Sequence, residues 1–110
     1  GNEGTNRLRE DPRILDAIRE FADAGKLLAA VCAGPLVLQE AGVLDGRRAT
    51  CHPSARDRLT RADASDDRVV VDGRVITSQG PGTAFEFALT ILREVDGPDV
   101  ADGVAAGLVL

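Results

Sequence analysis

Hydrophobic positions fall into two kinds of pattern along the chain. Ile14, Leu15, Ile18, Phe21 and Ala22 recur at helical spacing on one face. Asp11-Pro12 supplies an N-cap and a proline at the first helical position, and Gly25 closes the segment. Residues 27–31 (LLAAV) form a continuous apolar run, as expected of a strand covered on both faces. Cys32-Ala33-Gly34-Pro35 interrupts that run, and residues 36–41 read as a second helix ending at Gly42. Residues 48–51 predict a further strand ended by His52-Pro53, and residues 54–59 predict one or two helical turns.

Two β-branched runs, residues 68–71 and 74–78, flank Asp72-Gly73, a dipeptide suited to a two-residue hairpin turn. Gly80-Pro81-Gly82 is a tight loop. Thr83-x-x-Glu86 has the form of a capping box, opening a helix with Ala84, Ala88, Ile91, Leu92 and Val95 inward. A last short helix begins at Pro98 or Asp99 and runs towards Leu108. The opening Gly1-Asn2-Glu3-Gly4-Thr5-Asn6 has loop composition.

Helices alternating with buried strands predict an α/β sandwich with a mostly parallel sheet. A run such as residues 27–31 needs strands on both sides and helices on both faces. At most four short strands are available, two of them in one hairpin, so the chain reads as the second part of a larger domain.

Composition narrows the classes of function. With three phenylalanines, no tyrosine and no tryptophan among 110 residues, the core must be aliphatic. Thirteen basic against eighteen acidic residues give a net charge of −5, which argues against nucleic acid as a partner. No apolar run approaches the roughly 20 residues that span a bilayer, and the polar first ten residues do not read as a signal peptide. Two cysteines are too few for a disulfide framework, so a reducing, cytoplasmic setting is the expectation.

Cys32 sits between a buried strand and a helix, where a sharp turn presents a side chain at the carboxyl edge of the sheet. A helix N-terminus there favours a thiolate, and its free N–H groups suit an oxyanion. The plain alternative is a small thiol ending a core strand. His52, the one histidine, ends another strand; alone, it reads better as a surface loop residue than as a site residue. Cys32, Cys51 and His52 lack the ligand number and spacing of a structural zinc site, so no metal is expected. Gly80-Pro81-Gly82-Thr83 lacks the lysine of a phosphate loop and reads as a turn and cap. The charged stretch 56–68 reads as a solvated face.

Three segments carry a resemblance. Ala29-Ala30-Val31-Cys32-Ala33-Gly34-Pro35 resembles the nucleophile elbow of the ThiJ/PfpI superfamily, in the branch of the parkinsonism-associated deglycase. Thr50-Cys51-His52-Pro53-Ser54-Ala55 resembles that family's histidine segment, and residues 77–89 resemble its signature loop and helix. The resemblance implies the C-terminal portion of a flavodoxin-like α/β domain and an enzyme without cofactor. Cys32 would be nucleophile and redox sensor, the Ala33 N–H part of an oxyanion pocket, and His52 a proton shuttle. Ser78, Gln79, Gly80 and Pro81 would form the pocket rim.

Implied activities are conversion of methylglyoxal to lactate or deglycation, with redox sensing and chaperone action as an alternative. Peptide hydrolysis is weaker, because that branch places histidine directly after the cysteine, where Ala33 stands. Gln79 and Cys51 depart from the family pattern: several relatives carry a basic residue at the first position and a small non-thiol residue at the second. Gly1-Asn2-Glu3-Gly4 resembles the continuation of a Pro-Gly-Gly turn. The expectation is therefore cleavage before Gly1, the Gly1 amine near Cys32, and an N-terminal chain of the same precursor bearing an active-site glutamate. A homodimer of such protomers is implied as well.

Overall fold

A computed structural model describes residues 1–110. Helices α1 (Asn2–Glu10) and α2 (Pro12–Asp23) lead into strand β1 (Leu28–Val31) and helix α3 (Pro35–Glu40). Strand β2 (Arg48–Ala49), a 3₁₀ helix (Pro53–Arg58) and strand β3 (Asp63–Ala64) follow. The hairpin β4 (Val69–Asp72) and β5 (Val75–Ser78) leads through a 3₁₀ turn (Pro81–Thr83) into α4 (Ala84–Asp96) and α5 (Pro98–Gly107).

The main sheet has the order β1-β5-β4. β1 runs parallel to β5, pairing Leu28 with Val75 and Val31 with Ser78, and β4 runs antiparallel to β5. β2 and β3 form a second, parallel pair. Two of the three pairings are thus parallel, and the third is the hairpin. A parallel pair cannot close through a tight turn, so the chain between β1 and β5 must cross over, and it carries α3 with it. The α/β expectation holds.

The core gathers where that crossover folds back. Leu36, Leu44 and Ile76 are fully buried, and Leu38, Ala49, Cys51, Ala55, Leu59 and Val75 pack around the first two. Gln39 is buried with both ends of its amide hydrogen-bonded: its Nε2 donates to the Arg58 carbonyl at 2.8 Å, and its Oε1 accepts from Arg61 N–H at 3.0 Å. That satisfied polar group pins residues 58–61 to α3. Thr50 N–H donates to Thr77 Oγ1 at 3.0 Å, tying the segment before His52 to β5.

Several expectations are corrected. The opening residues form helix α1. Glu3 and Arg7 pair across one turn at 2.9 Å, Thr5 is buried, and Arg9 reaches Glu40 of α3 at 3.6 Å. Glycine and asparagine are weak helix formers, so packing against α3 overrides local propensity here. The hairpin turns on Gly73-Arg74, one residue later than Asp72-Gly73, with Asp72 paired to Val75 and Gly73 at φ 60°. Only glycine enters that region freely.

Stretch 56–68 is not merely a solvated face, since it holds β3 and donates to Gln39. No capping box forms at α4. Thr83 Oγ1 accepts from Gly80 N–H at 3.2 Å and lies 2.6 Å from Ser78 Oγ, while Glu86 pairs with Arg68. β1 has a single strand neighbour, β5, and Ala29 is exposed where the run was expected to be covered. The inward stripe foreseen on α4 is half open: Ala84, Ala88 and Val95 are exposed, while Ile91 and Leu92 are partly covered.

Candidate active site

Strand β1 ends at Val31 and α3 starts at Pro35, so three residues must reverse the chain. Gly34 N–H donates to Val31 O at 3.0 Å, and a β-carbon at Gly34 would lie 3.0 Å from that oxygen and 3.4 Å from Ala30 Cβ. Glycine is therefore required by close approach. The turn places Cys32 at φ 63°, a left-handed conformation costing about 1–2 kcal/mol for a residue with a β-carbon. The Cys32 N–H donates to Ser78 O at 3.2 Å, which anchors the strained residue to β5. The neighbouring Ala33 is buried, and its N–H has no acceptor within the chain. Cys32 is half-buried and lines an apolar cavity of about 240 Å³ with Val31, Gly80, Pro81, Ala84 and Phe87.

His52 is tied to this elbow through the backbone, its N–H donating to Cys32 O at 2.8 Å. Its ring turns elsewhere. Ser54 N–H donates to Nδ1 at 3.1 Å and Ser54 Oγ lies 2.8 Å from the same nitrogen, so the proton of the neutral imidazole sits on Nε2. A β-carbon at Gly80 would approach His52 Cδ2 at 3.3 Å. The ring therefore lies against Gly80, beside a polar concavity of about 230 Å³ that also holds Arg68 and Gln79. Gly80 and Pro81 line both spaces and divide them.

Of the residues expected at the site, Cys32, Ala33, His52, Gly80 and Pro81 converge on this divide. Gln79 lines the polar side, with Nε2 donating to Asp66 O at 3.1 Å. Ser78 lies behind the rim, fully buried, its hydroxyl donating to Arg68 O at 2.6 Å. Gly1 is exposed at the N-cap of α1, where its carbonyl accepts from Thr5 N–H at 3.0 Å.

Cys51 is a different thiol. It is buried, its Sγ lies 3.4 Å from His52 O, and burial pushes its pKa up, partly offset by the positive charges of Arg56 and Arg58. Both cysteines are free, and no group of three or more His, Cys, Asp or Glu side chains is placed to hold a metal.

Arg68 is the residue that sequence reasoning missed. Its Nε donates to Glu86 Oε1 and its Nη2 to Gly82 O, both at 2.8 Å, strapping the loop to α4. Its partners lie 14 and 18 positions away, beyond any local motif. The largest concavity, about 730 Å³ between the start of β4 and α4, holds charged side chains and no nucleophile.

Comparison with known proteins adds a second line of support. The model of the DJ-1/PfpI family matches residues 1–94. The chain is 44% identical to the Parkinson disease protein 7 homolog of Danio rerio, over 97% of this chain and 58% of that protein. It is 41% identical to the glutathione-independent glyoxalase DJR-1.2 of Caenorhabditis elegans, over 100% of this chain and 60% of that one. The crystal structure of Drosophila melanogaster DJ-1beta matches with a TM-score of 0.94 at 41% identity, covering 100% of this chain and 60% of that chain. The chain thus spans less than two thirds of the length of these relatives.

Proposed function

The chain belongs to the DJ-1/PfpI family, and we propose that it carries the thiol of a cofactor-independent enzyme acting on small reactive carbonyls. The observation that carries this is the elbow: a strained Cys32 opening into an apolar cavity beside an unspent, buried Ala33 N–H. A half-buried thiol that only ended a strand would need neither the left-handed backbone nor the free donor.

With methylglyoxal, the Cys32 thiolate adds to the aldehyde carbon and forms a hemithioacetal oxyanion, to which Ala33 N–H donates. A base then removes the proton from that carbon, and the adjacent carbonyl carbon is protonated through an enediolate. The result is a thioester of lactate on Cys32. Water cleaves it, releasing lactate and the free thiol. His52 holds its proton on Nε2, so it acts here as a donor rather than as the first base. No carboxylate lines the thiol cavity. The base is assigned to the glutamate of a companion N-terminal chain, packed against the open edge of β1. Support comes from that edge, where an apolar groove of about 370 Å³ lies over β1 between Leu8, Ile14, Ile18 and Phe87. A homodimer of such assemblies belongs to the same proposal.

The test is lactate formation from methylglyoxal by natively purified protein, with any co-purifying chain retained. Turnover should fall at least about 1000-fold in Cys32→Ser, as for loss of a nucleophile. Equal turnover in both proteins would remove Cys32 from the chemistry. Absence of turnover in the parent would shift the weight to oxidation sensing at Cys32, whose thiol is accessible where Cys51 is sealed.

A further inference from the structure

We propose that the polar concavity on the His52 side of the Gly80-Pro81 divide is a carboxylate subsite, with Arg68 its principal donor. This rests on the carbonyl chemistry assigned to Cys32 and names the class of substrate or product that the site retains.

The two spaces at the divide differ in kind. The thiol side is walled by Val31, Pro81, Ala84 and Phe87, while the other gathers His52, Arg68 and Gln79 over a floor that includes Pro53 and Pro81. The Arg68 guanidinium has five N–H groups, and its two bonds inside the chain leave three. Those two bonds fix the plane of the fork between Glu86 and Gly82, so its orientation is set before a ligand arrives. His52 adds a directed donor. With Nδ1 accepting from Ser54 N–H, the proton lies on Nε2, next to the Cδ2 that faces Gly80. Gln79 is held with its amide nitrogen on Asp66 O, which leaves Oε1 free to accept a hydroxyl.

Two donors and an acceptor in one small polar hollow match a 2-hydroxycarboxylate: the charged end on Arg68 and His52, the hydroxyl on Gln79. Isomerisation of a 2-oxoaldehyde at Cys32 generates such an acid one partition away. A carbonyl substrate that already bears a carboxylate would present the same group. Charge on the chain as a whole is negative, but Asp66 nearby is paired with Arg56 and Glu86 with Arg68 itself. Glu86 thus offsets the charge of Arg68 but leaves its remaining N–H groups unspent, so the subsite works through directed donors rather than through a net positive charge.

The experiment is a titration of the natively expressed protein with lactate at constant ionic strength, following the His52 ring resonances by NMR. Propane-1,2-diol serves as the uncharged counterpart. Lactate should give a saturable shift and the diol none. Arg68→Gln should weaken lactate binding at least about tenfold, the scale of a lost hydrogen bond to a charged group. Arg68→Lys keeps the charge, controls for loss of the strap on Gly82, and should retain part of the affinity. Glu86→Gln removes the competing negative charge while its amide oxygen still accepts from Arg68 Nε, and should tighten lactate binding, a gain that a purely structural Arg68 would not give. The same affinity in parent and Arg68→Gln, an equal response to the diol, or no saturable shift would each overturn the subsite. Methylglyoxal turnover measured on the same samples separates the two proposals. Turnover without lactate binding removes the subsite alone, and lactate binding without turnover removes the Cys32 chemistry alone.

Discussion

The molecule has a sealed region and an open one, and its two cysteines fall on either side of the boundary. Around α3, β5 and the 3₁₀ helix, Leu36, Leu44, Ala55, Leu59 and Cys51 exclude water. Across β1, α2, α4 and α5, Phe21, Phe85, Val95, Val100 and Leu108 stand exposed. Burial makes Cys51 a core residue with a reluctant proton. Cys32, nineteen positions earlier, is held by the same core but faces outward from a left-handed backbone. On the proposed reading, reactivity in this fold comes from position at the seam, where rigid packing behind a residue supports strain in front of it.

The difference can be broken from the sealed side first. Leu36→Ala removes a fully buried side chain from the densest packing and should cost about 3 kcal/mol, read by denaturant unfolding. A loss below about 1 kcal/mol would mean that this region is not the anchor. On the seam, Cys32→Gly relieves the left-handed strain. It should raise stability by roughly 0.5–1 kcal/mol after the entropic cost of glycine, while abolishing turnover. A stability loss there would show that the thiol itself packs for stability.

Titration sharpens the comparison further. Burial raises the folded pKa of Cys51 above its unfolded value, so its contribution is fully present below the ordinary thiol range. As pH climbs from about 8.5 towards the raised value, the unfolded chain ionises first and stability falls. Cys51→Ala should flatten that alkaline decline in denaturation midpoints measured across the window; an unchanged slope would assign the decline elsewhere. The smallest effect belongs to the open side. Val95 is 61% exposed, and Val95→Ser should change the stability of the isolated chain by less than about 0.5 kcal/mol. A clearly larger loss in natively purified material would reveal that a companion chain covers α4.

Much of the fold was legible because its signals are local. Asp11-Pro12 starts α2 with the Asp11 side chain accepting from Arg13 N–H, as N-cap chemistry requires. The runs at residues 27–31 and 74–78 are strands because β-branched and aliphatic residues suit buried parallel pairing. The elbow was legible too, since a thiol between a strand and Gly-Pro leaves few conformations. Helix α1 was not, because its sequence favours a loop and only contact with α3 and Glu40 holds it. The fate of Thr83 was equally hidden. Its hydroxyl has a good local acceptor role at α4, and the fold spends it on Gly80 and Ser78 instead.

By itself, the sequence determined the type of most elements between α2 and α5, the aliphatic character of the core and which residue is the nucleophile candidate. Each is written in neighbours within a few positions, where backbone sterics and periodic burial act. Only the tertiary structure decided that His52 turns its ring away from the thiol cavity, that Gly80 and Pro81 divide two unlike spaces, and that Arg68 guards one of them. Those facts depend on hydrogen bonds between residues 14 to 20 positions apart, Arg68 to Gly82 and His52 to Cys32. Such partners meet only after the crossover has closed, and the entropy of closing it is met by the whole core rather than by any local motif.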